Sequence, residues 1–502
     1  MAEAIPVFCD CGRGVITSIL MPSMKQLLIF VGIVLCTAHC HAQQFSQYYT
    51  GTLFDSFEHP SRSAFLPDTS RNYAFNFLIP NFNFNANLQL KGNTQSVLVH
   101  GLFGGAIDYS ALQPGRGQVN TGNFNTNTYA LMFKFYDTDG GREEFGLFAG
   151  QKAEGKGIFS DETLGLLNGG SIFPGNIYDN VLNDSYHIQI YNTIGLTYRE
   201  AVTEQVAVGF KVAFLMGVTT ESLHVIDSHL SLNRIAGSET LALKGSYQLS
   251  KGPGPRDGRN FLPLTLSPGA QISAGTSFIT DDHLILQANI QDLGFIHWYS
   301  GSFGGNFDQT VSLSGLSTLP FKKQVDNLYG SVYQAFRTAR DYQGFNTPTD
   351  GRLELSIAKS YPLADEGRLA YVPALIASKQ LFEDGLALAM VNRLRFRDIN
   401  ISATASYDNQ QVFNAGMQLM LQSHNVEFFI GSDRLLHTIS FAQAVSSPNL
   451  FVNQAYTGGN IFMGFSLKFG QIIETPTNAV NIPDGQRAFL GRLWGRLFKR
   501  YR

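Results

Sequence analysis

The chain has 502 residues and a formal net charge of −3; 44% of its residues are hydrophobic and 15% are charged. Disordered chains combine low hydrophobicity with high net charge, so disorder is excluded. The pI near 6.4 lacks the basic excess of nucleic-acid-binding proteins, so no nucleic-acid partner is expected. The low charge, set against 40 Phe, 20 Tyr and 50 Gly, is the imbalance that a fold assignment must explain.

The first 42 residues have the features of an export signal. Lys25 precedes a ten-residue apolar run, and small residues precede a cleavage site after Ala42. The run spans about 15 Å as a helix, too short for a bilayer core of about 30 Å. We therefore expect residues 1–42 to be a signal peptide, with Met24 as an alternative start. All four cysteines lie in this leader, and an exported chain without thiols is typical of a bacterial envelope.

Long runs of alternating apolar and polar residues are the main structural signal. In the run from Tyr186 to Arg199, for example, Ile194 and Leu196 share one face while Thr193 and Thr197 share the other. Successive side chains of a strand point to opposite faces, so each run predicts a strand with one apolar face. Further runs are Tyr73–Ile79, Thr128–Tyr136, Glu144–Gln151, Val206–Met216, Ser222–Leu230, Ser238–Ser250, Ser267–Ile279, His283–Leu293, Arg352–Ser360, Leu369–Gln380, Leu386–Arg397, Ile399–Tyr407, Val412–Gln422, Asn425–Ser432 and Asn460–Phe469. Tight turns alternate with long Gly/Asn-rich loops such as Gln113–Asn127.

These runs favour an all-β transmembrane antiparallel barrel of about 14 strands over residues 43–470, with a few short helices. Tilted membrane strands need about 9–11 residues, whereas strands of a soluble sandwich or propeller, the alternative, average about 5–6. Aromatic residues near run ends suit the girdles at the two membrane interfaces; they are Tyr73, Tyr136, Tyr198, Phe396, Tyr407 and Phe469. The final aromatic strand resembles the signal that outer-membrane barrels present to their insertion machinery.

Three segments lack strand periodicity. Ser160–Leu167 predicts a short helix, with Ser160 as its N-cap. Phe321–Phe336 has a helical apolar face and predicts either a helix beside the barrel or a plug within it. Residues 471–502 form a basic amphipathic tail, with six basic and two acidic side chains. Such a tail is typical of an interfacial anchor or a partner-docking helix, although two glycines also allow a frayed end.

Few residues suggest chemistry, and we predict no catalytic, cofactor or metal site. Asp137 opens a sequence that begins like a calcium loop but lacks the required Gly, so a hairpin turn is expected. His224 and His229 are five residues apart, which places them on opposite faces of a regular strand and argues against a metal site. An outer-membrane hydrolase, with Ser, His and an acid at the barrel's rim, remains an alternative.

Arginines mark one predicted lumen wall. Arg393, Arg395 and Arg397 alternate with Leu394 and Phe396, so they would face the lumen of a barrel. Three guanidinium groups could give the pore an anion preference. The alternative is an ion-pair ladder with acidic residues such as Glu354 and Asp408.

Two kinds of motif resemble known families. Residues 44–49, Gln-Phe-Ser-Gln-Tyr-Tyr, resemble the mature start of membrane proteins associated with type IX secretion and gliding in Bacteroidota. Residues 292–298, Asp-Leu-Gly-Phe-Ile-His-Trp, and residues 155–161, Gly-Lys-Gly-Ile-Phe-Ser-Asp, are similar to motifs of an uncharacterised Bacteroidota family of large outer-membrane barrels. The resemblance covers about residues 43–470 and implies barrels similar in strand number to the fatty-acid-transport type, without assigned catalytic residues.

Together these features predict a non-enzymatic protein of the cell outer membrane. The leading function is passage of small or hydrophobic molecules, and the alternative is an accessory subunit of a secretion or surface-assembly complex. Expected partners are outer-membrane lipid, the barrel insertion machinery and envelope secretion components. A transporter predicts a continuous lumen or a lateral opening, whereas a scaffold predicts a blocked lumen.

Overall fold

A computed structural model describes most of the expected mature chain. The described residues are 44–65, 70–89, 115, 117–137, 143–166, 173–233, 238–251, 267–299, 302–313, 330, 342–364, 369–382, 385–408, 413–446 and 456–473. The expected signal peptide, nearly all of the predicted Phe321–Phe336 helix and the tail after residue 473 lie outside them.

Strands dominate the described residues and form a single antiparallel sheet. They are β1 (Arg71–Phe75), β2 (Asn81–Gln89), β3 (Val119–Tyr136), β4 (Glu143–Ser160), β5 (Ile177–Asp179), β6 (Ser185–Ala201), β7 (Val206–Asn233), β8 (Ser238–Lys251), β9 (Pro268–Ile279), β10 (Leu284–Trp298), β11 (Phe303–Leu313), β12 (Phe345–Pro348), β13 (Arg352–Lys359), β14 (Tyr361–Pro362), β15 (Leu369–Gln380), β16 (Leu386–Phe396), β17 (Ile399–Asp408), β18 (Phe413–Gln422), β19 (Val426–Ser432) and β20 (Tyr456–Ile472). The α-helices are α1 (Leu53–Glu58), α2 (Asp161–Leu166) and α3 (Leu435–Ser446). No helix within the described ranges is long and apolar enough to span a membrane.

The sheet closes into a barrel of 14 wall strands, which confirms the predicted fold and count. β1 and β2 form one interrupted strand, because both pair with β3 on one side and with β20 on the other. β12, β13 and β14 likewise share one wall position between β10 and β15. The other twelve wall strands are β3, β4, β6, β7, β9, β10 and β15 to β20. The pairing of β1 with β20 closes the ring.

The predicted alternation separates the two faces of the wall. Leu196 and Val212 point outward and are 67% and 55% exposed, while Thr197 and Lys211, on the same two strands, are buried in the lumen. An outward apolar face of this kind is typical of a membrane-spanning barrel. Tyr136 is an exception to the predicted aromatic girdle, because its ring packs against Phe65 inside the barrel, with 5.9 Å between ring centroids.

The two ends of the barrel differ. Short connections join β3 to β4, β6 to β7, β9 to β10, β16 to β17 and β18 to β19, and we call this the short-turn end. Long connections lie at the opposite, long-loop end. There β7 extends beyond the wall and pairs with β5 and β8, and β8 pairs with β11. This extension has its own apolar core, which includes Leu230, Leu241 and Phe307.

Local predictions met different outcomes. The short helix is confirmed as α2, with the Thr163 backbone N–H donating to the Ser160 hydroxyl at 3.1 Å. The predicted Gln113–Asn127 loop is wrong from Val119 onward, because those residues belong to β3. Opposite faces for His224 and His229 are also wrong, because a bulge after Val225 shifts the register by one residue and leaves both rings exposed.

Candidate functional site in the lumen

The N-terminal residues 44–65 lie inside the barrel, and we call this segment the plug. Thr52 caps α1, since its hydroxyl accepts a hydrogen bond from the Asp55 backbone N–H at 3.1 Å. Leu53, Phe54 and Phe57 are fully buried. They belong to a core shared with wall residues, and the Phe54 ring meets the rings of Tyr129 and Phe429 edge-on, with centroids 5.8 and 5.7 Å apart. The plug is therefore a packed part of the barrel interior.

Arg393 holds the first turn of the plug. Its guanidinium donates to the backbone oxygens of Tyr49 at 2.7 Å, Ser46 at 2.9 Å and Tyr48 at 2.7 Å, and to the Ser402 hydroxyl at 3.2 Å. Carbonyl oxygens thus take up the donors that an anion pore would need free. Beside it, the Ser46 hydroxyl lies 2.7 Å from that of Thr404 and contacts the Asp433 carboxylate.

The other two predicted arginines lie near the short-turn end. Arg395 pairs with Asn400 in the register of β16 and β17, and its side chain is exposed at the mouth. Arg397 lies in the turn after β16 with a φ of +52°, and its guanidinium stands over the Phe396 ring at 5.6 Å. The structure thus separates the three side chains, and their anion preference stays a prediction.

Charged groups couple the plug to the middle of the wall. His59 Nδ1 lies 2.7 Å from an Asp55 oxygen, and His59 Nε2 lies 3.5 Å from a Glu354 oxygen. Burial alone lowers the pKa of His59, but its hydrogen bonds to the two carboxylates outweigh burial and raise the pKa to about 9. The imidazole is therefore protonated at neutral pH. Glu58 meets Arg352 at 3.2 Å and accepts hydrogen bonds from Asn127 and Tyr129.

Asp292 is the central anion of the wall, and it belongs to the motif noted at residues 292–298. It lies at a bulge in β10, where a φ of +54° turns its carboxylate into the lumen. There it contacts the ammonium group of Lys152 and lies 3.3 Å from that of Lys211. Trp298, at the other end of the motif, is fully buried and donates to the Thr347 hydroxyl at 2.8 Å.

A further set of ion pairs closes the short-turn end around the last plug residues. Glu144 accepts from the Ser63 hydroxyl and lies 3.2 Å from Lys134 and 3.0 Å from Arg199. Lys468 donates to the Ala64 backbone oxygen at 2.6 Å. With these contacts the plug is tied to the wall along its whole length.

The opposite side of the plug faces three adjacent cavities, each of which shares lining residues with the next, and we call them the vestibule. The inner cavity, of about 40 Å³, is lined partly by plug residues such as Gln47 and His59. The middle cavity, of about 180 Å³, shares Asn125, Glu154 and Asp350 with it. The outer cavity, of about 550 Å³, lies among strand ends at the long-loop end. The vestibule thus narrows onto the plug, where only a few water molecules fit.

The wall itself is interrupted between β1 and β2, at residues 76–80. Phe77 and Leu78 adopt positive φ and point outward. Asn76 fills the break, because its amide donates to the backbone oxygens of Ile79, Tyr129 and Ala130, and its oxygen accepts from the Met132 backbone N–H at 3.1 Å. The interruption is therefore sealed by side-chain hydrogen bonds.

Sequence reasoning missed the plug and most of the lumen charges. Residues 44–65 have no repeating apolar pattern, and a helix of six residues is too short to show a helical periodicity in the sequence. One signal was present: residues 44–49, which resemble the mature start of type IX secretion membrane proteins, form the first turn of the plug. The likeness to that secretion system stays a prediction.

Comparison with known proteins places the chain in a family without adding a site. The family model described as a family of unknown function, DUF5723, matches residues 64–433. No curated protein sequence matches the chain. Similar solved structures include the Pseudomonas putida toluene transporter TodX (9% identity, 87% of this chain and 96% of that chain, TM-score 0.40) and a Pseudomonas aeruginosa FadL homologue (11%, 86% and 99%, 0.41). The Ralstonia pickettii toluene transporter TbuX is also similar (10%, 80% and 90%, 0.39).

Proposed function

We propose that the chain, which belongs to the DUF5723 family of unknown function, is an outer-membrane barrel that passes small water-soluble molecules when its plug moves. The observation that carries this proposal is that the vestibule narrows onto the plug, which is not itself a strand of the wall sheet. In outer-membrane barrels the short turns face the periplasm and the long loops face outward. The vestibule then receives solutes from outside, and the plug guards the periplasmic side.

The character of the lumen favours polar solutes. Its wall carries buried Asn, Gln, Ser, Thr and charged side chains, and the plug adds its own ionic groups. An apolar molecule would displace water from these groups without replacing the hydrogen bonds, which is unfavourable. A sideways exit for such a molecule through the wall would need the Asn76 hydrogen bonds to break. For these reasons we favour a path along the barrel axis.

A reversible lock on the plug tests the proposal. Ser46 and Thr404 have hydroxyls 2.7 Å apart, so the double variant Ser46→Cys, Thr404→Cys brings two thiols within reach of a disulfide. In a chain expressed without residues 1–42 no other cysteine is present. We expect the reduced double variant to carry current in a planar bilayer and oxidation to abolish that current.

Three further variants decide between gating and its alternatives. Arg393→Ala removes three hydrogen bonds to plug carbonyls, so it should raise the fraction of time that the channel conducts severalfold. The current through each of the two single cysteine variants should not change when oxidant is added. Current that persists in the oxidised double variant would contradict a moving plug. No current in any variant would remove the channel altogether.

That last outcome would favour a second candidate, an accessory subunit of a surface complex. The specific observation behind it is the extension of β5, β7, β8 and β11, which continues beyond the barrel on a core of its own. Such an extension could present a docking surface at the long-loop end. Deleting it would then abolish complex assembly, whereas a channel would retain its current.

A further inference from the structure

Two carboxylates face the same cavity at the floor of the vestibule. Glu154 of β4 and Asp350, between β12 and β13, line both the inner and the middle cavity. Each accepts from a neighbouring amide, Glu154 from Gln189 and Asp350 from Gln380 at 2.6 Å. Lys152, two residues before Glu154 on β4, contacts Asp292 with its ammonium group. The floor therefore presents two neighbouring carboxyl groups to the cavity.

An unused acceptor lies beside this pair. Gln380 is only 8% exposed, lines the middle cavity, and its Oε1 has no hydrogen-bond partner within the described part of the chain. Its own Nε2 donates to Asp350, so the free oxygen lies close to that carboxylate. A buried acceptor without a donor is unfavourable. A ligand that brings N–H donors would relieve it.

Basic groups line the other end of the same cavity. Lys156 follows Glu154 by two residues, so both side chains point into the lumen from β4, and Lys156 lies nearer the long-loop end. His187 is its direct partner on β6, and both line the middle and outer cavities. The acidic floor and the basic rim are thus separated by about 6.6 Å along one strand.

We propose that the middle cavity binds a zwitterionic short peptide of about two residues. An extended dipeptide spans about 7 Å, which matches the spacing of the two charged ends. Its ammonium group would donate to Glu154, Asp350 and Gln380 Oε1, and its carboxylate would face Lys156 and His187. Phe124, whose ring lies against Gly155, and Phe382 supply apolar walls between the ends. This inference names the solute class for the proposed channel and in that respect rests on the proposed function.

Calorimetric titration of the detergent-solubilised barrel with L-alanyl-L-alanine tests the assignment. We expect saturable binding, which N-acetylation of the peptide weakens more than tenfold because the ammonium group is lost. Glu154→Gln and Asp350→Asn should weaken binding of the free peptide similarly. Asp308→Asn is the matched control, because Asp308 is exposed on β11 and pairs with Lys244, so it should change nothing.

The contact of the peptide carboxylate with Lys156 is tested separately. Amidation of the peptide should weaken binding, and Lys156→Gln should weaken the free peptide but leave the amidated peptide unaffected, because both changes remove the same contact. Equal binding of the free and N-acetylated peptides would overturn the proposal, as would no binding at all. Equal binding of glycine betaine, which has no N–H donor, would also overturn the peptide assignment.

Binding and passage can fail separately. The vestibule lies on the long-loop side of the plug, so the oxidised Ser46→Cys, Thr404→Cys variant should bind the dipeptide with unchanged affinity while its current is blocked. Dipeptide binding without current in any variant would contradict the proposed channel but support the proposed binding site. Current without dipeptide binding would support the proposed channel but contradict the proposed binding site.

Discussion

At the residue scale, Asp292 shows how one carboxylate organises the lumen. The bulge in β10 turns it inward at a positive φ, a conformation that Asp tolerates better than most residues. Lys152 and Lys211 approach it from β4 and β7, and Gln271 and Ser273 donate to it from β9. Four strands therefore depend on a single buried anion.

We predict that Asp292→Asn destabilises the barrel by about 3 kcal/mol, because removing one partner leaves buried charges without compensation. Urea unfolding, followed by the fluorescence of the buried Trp298, measures the loss. Asp281→Asn serves as the control, since Asp281 is exposed in a turn, where it accepts a hydrogen bond from Gln205. An equal midpoint for both variants would show that the two lysines do not depend on Asp292.

The sequence could mark this residue but not explain it. The motif around Asp292 was visible, and so was the alternation of its neighbours. A bulge shifts the phase of that alternation by one residue, and such a shift is easily read as the end of a strand. The same limit applies to His224 and His229. Their faces were predicted wrongly because the prediction assumed a regular strand, whereas the structure has a bulge between them. Lumen ion pairs join residues distant in sequence, such as Lys152 and Asp292, and no spacing rule connects them.

At the scale of elements, the plug fits because the wall makes room for it. At Gly209 a Cβ atom would lie 2.0 Å from the Pro60 backbone oxygen and 2.2 Å from its carbonyl carbon. Real contacts of this kind do not occur, so either the plug or the strand would have to move. Glycine on β7 is thus a requirement of the plug, a segment that strand periodicity alone could not reveal.

Gly209→Ala is therefore expected to loosen the plug while the barrel stays closed. Trypsin should then cleave after Arg62, within the plug, at least tenfold faster, as measured by mass spectrometry of the N-terminal fragment. Gly157→Ala is the control, because a Cβ there meets its nearest atom at an ordinary 3.7 Å. Unchanged cleavage in Gly209→Ala, with heat-dependent gel mobility retained in both variants, would contradict the tight contact.

At the scale of the whole molecule, the low charge and the many aromatic residues of the composition reflect the outer face of the wall. Few charges and many aromatics produce an apolar outer face, which alternation predicted well. The inner face, which alternation identified only as the other face of each strand, holds most of the buried charge. Asn-rich β2 and the first half of β3 escaped prediction for a related reason. Asn disfavours strands in general, yet here Asn83, Asn85, Asn123 and Asn127 are buried on paired strands.

The outer face of the barrel allows a test of which exposed side chains face lipid and which face water. Leu196 on the barrel wall and Ile226 on the extension of β7 are similarly exposed, at 67% and 61%. If the wall spans the membrane and the extension lies outside it, only Leu196 meets hydrocarbon. Leu196→Arg should then cost about 2–4 kcal/mol in the free energy of folding into lipid vesicles, whereas Ile226→Arg should change it little. Equal costs would contradict the assigned depth, because an arginine in water carries no desolvation penalty.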